Sequence, residues 1–206
     1  MGLLGSGPVA AVRVPIIVNE APQPYRPEFV AALEKIAEAC SIMKARGQAL
    51  PILDGGAVVE FDTGSAIASG DLDFVADNAD GFAAALLAVG FRREGRQGRL
   101  LRGFHHPDLI IGVELVSGGY FDGAADRQRI RIVELASGEV WAAPTEDLIA
   151  DRLGQRLAKR ADKSVLLQAL TLLDLGNLLD TAYLDRRIRH ETNGELDLAA
   201  VRRLQA

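Results

Sequence analysis

The sequence predicts an α+β protein in which a mixed β-sheet packed with helices precedes a C-terminal bundle of helices. Strand-like and helix-like patterns alternate up to residue 143, and after Pro144 only helical patterns follow. Of the 206 residues, 49% are hydrophobic, which provides a substantial core and argues against disorder. We therefore expect a loosely ordered leader over 1–13, an α/β domain over 14–143 and a helical region over 144–206.

The individual elements are expected from apolar spacing and from the residues that interrupt it. Apolar runs bounded by turn residues predict strands at 52–53, 71–76 and 109–116, and strand pairs over 91–104 and 129–143. Apolar residues at helical spacing predict helices at 29–43, 79–89, about 162–174, about 177–190 and about 195–205. A further helix is expected to begin at Thr145, and a short helix or turn from about residue 57.

Charge, cysteine content and hydropathy limit the functional classes. The net charge is −5, which does not by itself indicate a polyanion-binding protein, although it is compatible with a local basic patch. The single cysteine, Cys40, forms no intrachain disulfide and is expected to be a buried helical thiol, which fits a reducing, cytoplasmic setting. No apolar run approaches the ~20 residues of a membrane span, so no membrane association is expected.

Asp71 and Asp73 occupy alternate positions of a predicted strand, so their side chains point to the same face. Two carboxylates about 7 Å apart along a strand repel each other, and a cation relieves that repulsion. Oxygen ligands suit Mg²⁺, which keeps several waters and shares its coordination with substrate phosphates. The simpler interpretation is an edge strand with a solvated face.

Two further features favour a site at these acids. Gly55-Gly56 ends the preceding strand, and paired glycines allow backbone amides to approach a phosphate closely; an ordinary turn is the alternative. Glu114 interrupts the apolar strand 109–116, where a lone acid is costly without a partner. A neighbouring strand can place Glu114 beside the aspartate pair, and a solvent-facing position is the alternative.

A glycine pair, a spacer, Asp-hydrophobic-Asp and a later acid in an apolar strand together resemble the nucleotidyltransferase superfamily. "APTEDLIADRL" (143–153) is similar to the helix opening of its minimal and abortive-infection-toxin-like branches, the latter related to toxin–antitoxin systems. "LDGG" followed by "DLD" resembles the branch that adenylylates aminoglycosides and lincosamides. The resemblance extends over about residues 28–185.

The resemblance implies a nucleotidyltransferase-type α/β fold and a Mg²⁺-dependent reaction. A nucleoside monophosphate would pass from a nucleoside triphosphate to a hydroxyl, and pyrophosphate would leave. Asp71, Asp73 and Glu114 are then the catalytic residues and hold two Mg²⁺ ions, with Glu114 also accepting the proton of the hydroxyl. The nucleotide contacts implied by the resemblance are Gly55, Gly56, Ser69 and Arg152.

The acceptor stays open between a tRNA or other RNA end, a protein hydroxyl and a small molecule, and a homodimer is compatible with the sequence. Basic residues around Arg92 and Arg156 suit RNA phosphates, but no aromatic residues are interleaved to stack bases, and a solvated face is the simpler interpretation. Related sequences often carry an arginine where this chain has Ile67. Two alternatives therefore remain: a catalytically inactive member serving as a partner-binding or regulatory module, and an unrelated α/β domain with coincidental acids.

Overall fold

The computed structural model describes residues 13–15, 24–94, 102–116, 120–158, 163–176 and 178–205. Within these ranges the chain forms one eight-stranded sheet and seven α-helices. The predicted α+β class, a mixed sheet packed with helices and followed by helices alone, is confirmed. Most of the predicted leader and the turn of the predicted 91–104 hairpin lie outside the described residues.

Strands and helices alternate until the end of the sheet. The strands are β1 (Arg13–Pro15), β2 (Ile52–Asp54), β3 (Asp71–Val75), β4 (Arg92–Arg93), β5 (Arg102–His105), β6 (Gly112–Val116), β7 (Arg131–Leu135) and β8 (Gly138–Ala142). The helices are α1 (Pro27–Ala45), α2 (Gly55–Asp62), α3 (Ala79–Ala88), α4 (Thr145–Ala158), α5 (Ser164–Leu175), α6 (Thr181–Glu191) and α7 (Leu198–Arg203). None of these helices combines the length and the hydrophobicity that a membrane crossing requires.

The sheet has the order β1-β7-β8-β2-β3-β6-β5-β4. Three neighbouring pairs are parallel, namely β1 with β7, β2 with β8, and β3 with β6, and the other neighbours are antiparallel. The central strands β2 and β3 follow each other in the chain through α2. This places the start of α2 and the acids of β3 at the same part of the sheet.

Helix α1 packs against β7, β8 and α3. It begins where the proline-rich connection ends, with Pro27 in its first turn, where a missing N–H does no harm. Its apolar stripe is buried and includes Phe29, Ile36 and Met43. Cys40 lies in that stripe and is buried as predicted, and burial raises the pKa of its thiol to about 12. The thiol is therefore protonated and unreactive at neutral pH.

Two predicted boundaries are wrong, each for a local reason. The glycine pair does not lead loosely into a helix from about residue 57; it forms the first turn of α2, because Asp54 caps the helix and accepts the Gly55 N–H at 2.7 Å. The predicted strand 109–116 begins only at Gly112. The residues before it still belong to a turn, and Ile110 is 77% exposed despite its apolar side chain.

A buried ion pair connects the helices that follow the sheet. Asp147, in the first turn of α4, is fully buried, and its carboxylate accepts hydrogen bonds from Arg187 Nε at 2.5 Å and Tyr183 OH at 2.9 Å. Arg187 and Tyr183 both lie in α6, and Arg187 Nη2 also donates to Glu191 at 2.7 Å. Because the bonds from Arg187 and Tyr183 to Asp147 join buried polar groups of two different helices, they fix the position of α6 relative to α4.

Replacing Asp147 by alanine is expected to lower the free energy of unfolding by about 3 kcal/mol or more, because Arg187 then stays buried with an incomplete set of partners. Chemical denaturation followed by circular dichroism measures this loss. Glu38→Ala, which removes a surface ion pair with Lys35, is the control and should change the free energy by less than about 1 kcal/mol. Equal losses in the two variants would contradict the importance of the buried pair.

Candidate functional site

Three carboxylates converge on one face of β3 and β6. These strands run parallel, and their register pairs Asp73 with Glu114, so that the two side chains point to the same face. Asp71 lies two residues before Asp73 on that face. Carboxylate oxygens of the three residues lie within 4.8 Å of one another, and all three residues are half-buried. The structure thus brings together the three acids that the sequence singled out.

Burial and the neighbouring acids both shift the pKa of Asp73. Burial, together with the charges of Asp71 and Glu114, raises the pKa of Asp73 from 3.8 to about 6, against the opposing effect of Arg152. A divalent cation bound to these oxygens would favour the ionised form and remove the repulsion. The donor set, made only of carboxylate oxygens, fits a hard ion such as Mg²⁺.

The turn from β2 into α2 brings the backbone directly against these acids. Gly55 has a φ of +66°, and a Cβ at this position would collide with Oδ2 of Asp73. Glycine is therefore required both by the left-handed backbone and by the close approach. The Gly55 N–H, predicted to face a phosphate, donates instead to Oδ1 of Asp54.

Gly56 and Ser69 contact each other and hold the backbone at the start of β3. Ser69 Oγ donates to the carbonyl oxygen of Asp71 at 2.8 Å, which ties the end of the spacer to the first residue of β3. A Cβ on Gly56 would lie 2.8 Å from this Oγ, so the second glycine allows the spacer to pack against the first turn of α2. The hydroxyl of Ser69, predicted as a nucleotide contact, is thus already engaged within the protein.

A cavity of about 270 Å³ opens beside Asp73. It lies between the ends of the central strands and the helices α4 and α6. Its lining consists of Asp54, Gly55, Asp73, Val75, Val116, Phe121, Asp151, Arg152, Gln155 and Glu191. This lining combines apolar and charged side chains, a combination typical of sites for organic ions.

Arg152 is the only basic residue among the described residues that line this cavity. Its side chain is 9% exposed, and its Nη1 donates to Asp151 at 3.2 Å. Its Nε is buried and finds no hydrogen-bond partner in the part of the chain that the structure describes. A buried guanidinium with an unused donor beside a cavity suits an anionic ligand such as a phosphate.

Asp54 and Asp151 also line the cavity, although the sequence did not single them out. Burial raises the pKa of Asp54 from 3.8 to about 7, although the bond from the Gly55 N–H opposes the rise. A helix-capping acid directly before the glycine pair was the available signal for Asp54. Burial likewise raises the pKa of Asp151, but its proximity depends on how α4 packs, which no local pattern reveals.

Comparison with known proteins identifies the fold. No family model matches the chain, and no curated protein matches it. Among solved structures it is similar to the crystal structure of an antigenic nucleotidyltransferase-like protein from Paracoccidioides brasiliensis, with a TM-score of 0.58. The chain has a nucleotidyltransferase-like fold. The match covers 86% of this chain and 93% of the other at 11% identity, so it is a likeness of fold.

Within this nucleotidyltransferase-like fold, Asp73→Asn is expected to stabilise the protein by about 1 kcal/mol at about pH 8 without divalent ions. The pKa of Asp73 in the folded protein, about 6, lies above its ordinary 3.8. The bound proton therefore contributes stability that is complete below about pH 4 and is lost as the pH rises through about 6. Asparagine mimics the protonated side chain at every pH, and thermal unfolding in EDTA at about pH 5 and about pH 8 measures the difference.

The control for this experiment is Asp77→Asn, which removes an exposed ion pair with Arg127 just after β3. It should give no gain at the higher pH. A loss of stability in Asp73→Asn at both pH values would contradict the repulsion inferred from the geometry.

Proposed function

We propose that the protein is a Mg²⁺-dependent nucleotidyltransferase that moves a nucleoside monophosphate from a nucleoside triphosphate to a hydroxyl acceptor and releases pyrophosphate. The observation that carries this proposal is the convergence of Asp71, Asp73 and Glu114 within 4.8 Å beside a cavity that contains Arg152. The nucleotidyltransferase-like fold supports the same chemistry. In phosphoryl-type transfers the protein contributes mainly position and charge, which such a site supplies.

The three carboxylates would hold the metal. In this proposal Asp71 and Asp73 would share two ions, and Glu114 would add an oxygen from the neighbouring strand. When bound, the ions neutralise the triphosphate and lower the pKa of the attacking hydroxyl. Glu114 would take the proton of this hydroxyl. The hydroxyl oxygen then bonds to the α-phosphorus as the bond from that phosphorus to pyrophosphate breaks.

Arg152 and the start of α2 would bind the phosphates. The buried Nε of Arg152 has no hydrogen-bond partner among the described residues, and the charge of Arg152 complements a triphosphate. Since the Gly55 N–H is engaged by Asp54, we assign the phosphate contact at this helix start to the Gly56 N–H. The apolar residues of the cavity lining, Val75, Val116 and Phe121, suit the nucleoside.

The acceptor is proposed only as a hydroxyl compound, whether an RNA end, a protein or a small molecule. The cavity beside Arg152 is lined by more carboxylates than cations, namely Asp54, Asp73, Asp151 and Glu191. Asp54, Asp151 and Glu191 each accept a hydrogen bond within the protein, from Gly55, Gln155 and Arg187 respectively.

Adding Mg²⁺ with a nucleoside triphosphate is expected to raise the melting temperature of the wild-type protein, because both ligands bind only the folded state. Asp71→Asn should lose most of this shift, since it removes a metal ligand. Thermal unfolding with each of the four common triphosphates, with and without Mg²⁺, measures it. If no combination shifts the wild type and Asp71→Asn behaves identically, the catalytically inactive, partner-binding alternative is favoured.

Arg152→Met is expected to weaken triphosphate binding by about tenfold or more, because one charge-assisted contact is lost. Binding of Mn²⁺ alone should change little, since Arg152 carries no metal ligand. Titration calorimetry with a non-hydrolysable triphosphate measures the first quantity and paramagnetic resonance the second. Arg186→Met, which removes an exposed arginine of α6, is the matched control. Equal nucleotide affinity in Arg152→Met and Arg186→Met would show that Arg152 does not contact the triphosphate.

A further inference from the structure

The spacer between α2 and β3, residues 63–70, contains no basic residue of its own. Among the described residues, an arginine from the segment before α1 reaches it instead. Arg26, the residue directly before α1, forms a two-pronged ion pair with Glu60 of α2, with Nε–Oε1 at 2.6 Å and Nη2–Oε2 at 2.9 Å. Glu60 is fully buried, whereas the side chain of Arg26 is 27% exposed.

Arg26 and Glu60 also form hydrogen bonds with two residues of the spacer, Ser65 and Ser69. Glu60 accepts hydrogen bonds from Ser65 Oγ at 2.8 Å and from the Ser69 N–H at 2.6 Å. Nη2 of Arg26 donates to the Ser69 carbonyl oxygen at 2.5 Å, and the backbone N–H of Arg26 donates to Ser65 Oγ at 3.1 Å. Both backbone polar groups of Ser69 are therefore fixed by one ion pair.

From Ser69 the hydrogen bonds continue to the site. Ser69 Oγ donates to the Asp71 carbonyl oxygen at 2.8 Å, and Asp71 opens β3 with its carboxylate beside Asp73 and Glu114. A continuous path of hydrogen bonds thus runs from Arg26 through Glu60 and Ser69 to the first of the three acids.

A contribution to stability does not by itself explain the ion pair of Arg26 and Glu60. Burial tends to raise the pKa of Glu60, but the bonds from Arg26, the Ser69 N–H and Ser65 outweigh burial and hold the pKa below its ordinary value. Glu60 is therefore charged at neutral pH. A buried ion pair stabilises a fold no better than apolar residues of the same size, although it does specify one geometry.

We propose that Arg26 and Glu60 are positioning residues for nucleotidyl transfer, which hold Ser69 and thereby set the place of the Asp71 carboxylate at the metal site. This inference rests on the proposed function. It makes Arg26 the basic residue that holds the spacer, which contains no basic residue of its own. Partners that orient metal ligands typically change metal affinity or activity by about 10–100-fold when they are removed.

The test uses Arg26→Met, which keeps the length of the side chain without its donors, and Glu60→Gln, which keeps its shape without its charge. Arg26→Lys is the conservative variant, and Arg189→Met, which loses exposed ion pairs of α6, is the control. Two quantities are measured on each full-length protein: amide hydrogen exchange over residues 63–73, and the affinity for Mn²⁺ alone by paramagnetic resonance. Arg26→Lys should recover part of both, since an ammonium replaces only one arm of the planar fork.

The proposal expects faster exchange in the spacer and about tenfold or more weaker Mn²⁺ binding in Arg26→Met and Glu60→Gln, with neither change in Arg189→Met. Unchanged exchange would show that the ion pair does not hold the spacer. Faster exchange with unchanged Mn²⁺ affinity would reduce Arg26 to a structural residue. Either result would overturn this inference and leave the proposed function in place. If the wild type binds no Mn²⁺, the proposed function itself fails, and this inference fails with it.

Discussion

Repulsion among three carboxylates is the constraint on which the rest of this structure depends. Asp71, Asp73 and Glu114 present oxygens within 4.8 Å of one another on two parallel strands, and burial together with the charges of Asp71 and Glu114 raises the pKa of Asp73 to about 6. A fold selected only for stability would place apolar or solvated side chains there. The surrounding elements instead fix these acids in place, as expected where a bound cation offsets the repulsion.

The scaffold meets this constraint from three directions. The first turn of α2 approaches Asp73 so closely that only glycine fits at position 55. The spacer before β3 is held by the Arg26–Glu60 ion pair. Helix α4 brings Arg152 to the cavity, and the buried pair of Asp147 and Arg187 fixes α6 as its opposite wall. Each contact joins segments far apart in the chain, so the geometry of the site is a property of the whole fold.

The sequence predicts the parts of this site that depend on local periodicity. Alternation along one strand places Asp71 and Asp73 on a common face, and an acid inside an apolar run marks Glu114. Their meeting depends on the parallel register of β3 and β6, which is set by a long connection rather than by either strand. The ion pair of Arg26 could not be predicted from the sequence. Arg26 lies in a proline-rich connection, and its partner Glu60 is distant in sequence and lies in a helix of mostly apolar residues.

The central claim is that the site transfers a nucleotidyl group, and the fate of a labelled phosphate tests it most directly. The protein is incubated with Mg²⁺, a heat-inactivated cell lysate and a triphosphate labelled at either the α- or the γ-phosphorus, so that the kinases and polymerases of the lysate attach no label. The account predicts that α-label becomes attached to one lysate fraction, that γ-label appears only in pyrophosphate, and that Asp71→Asn abolishes both. Attachment of γ-label, or α-labelling that persists in Asp71→Asn, would contradict it.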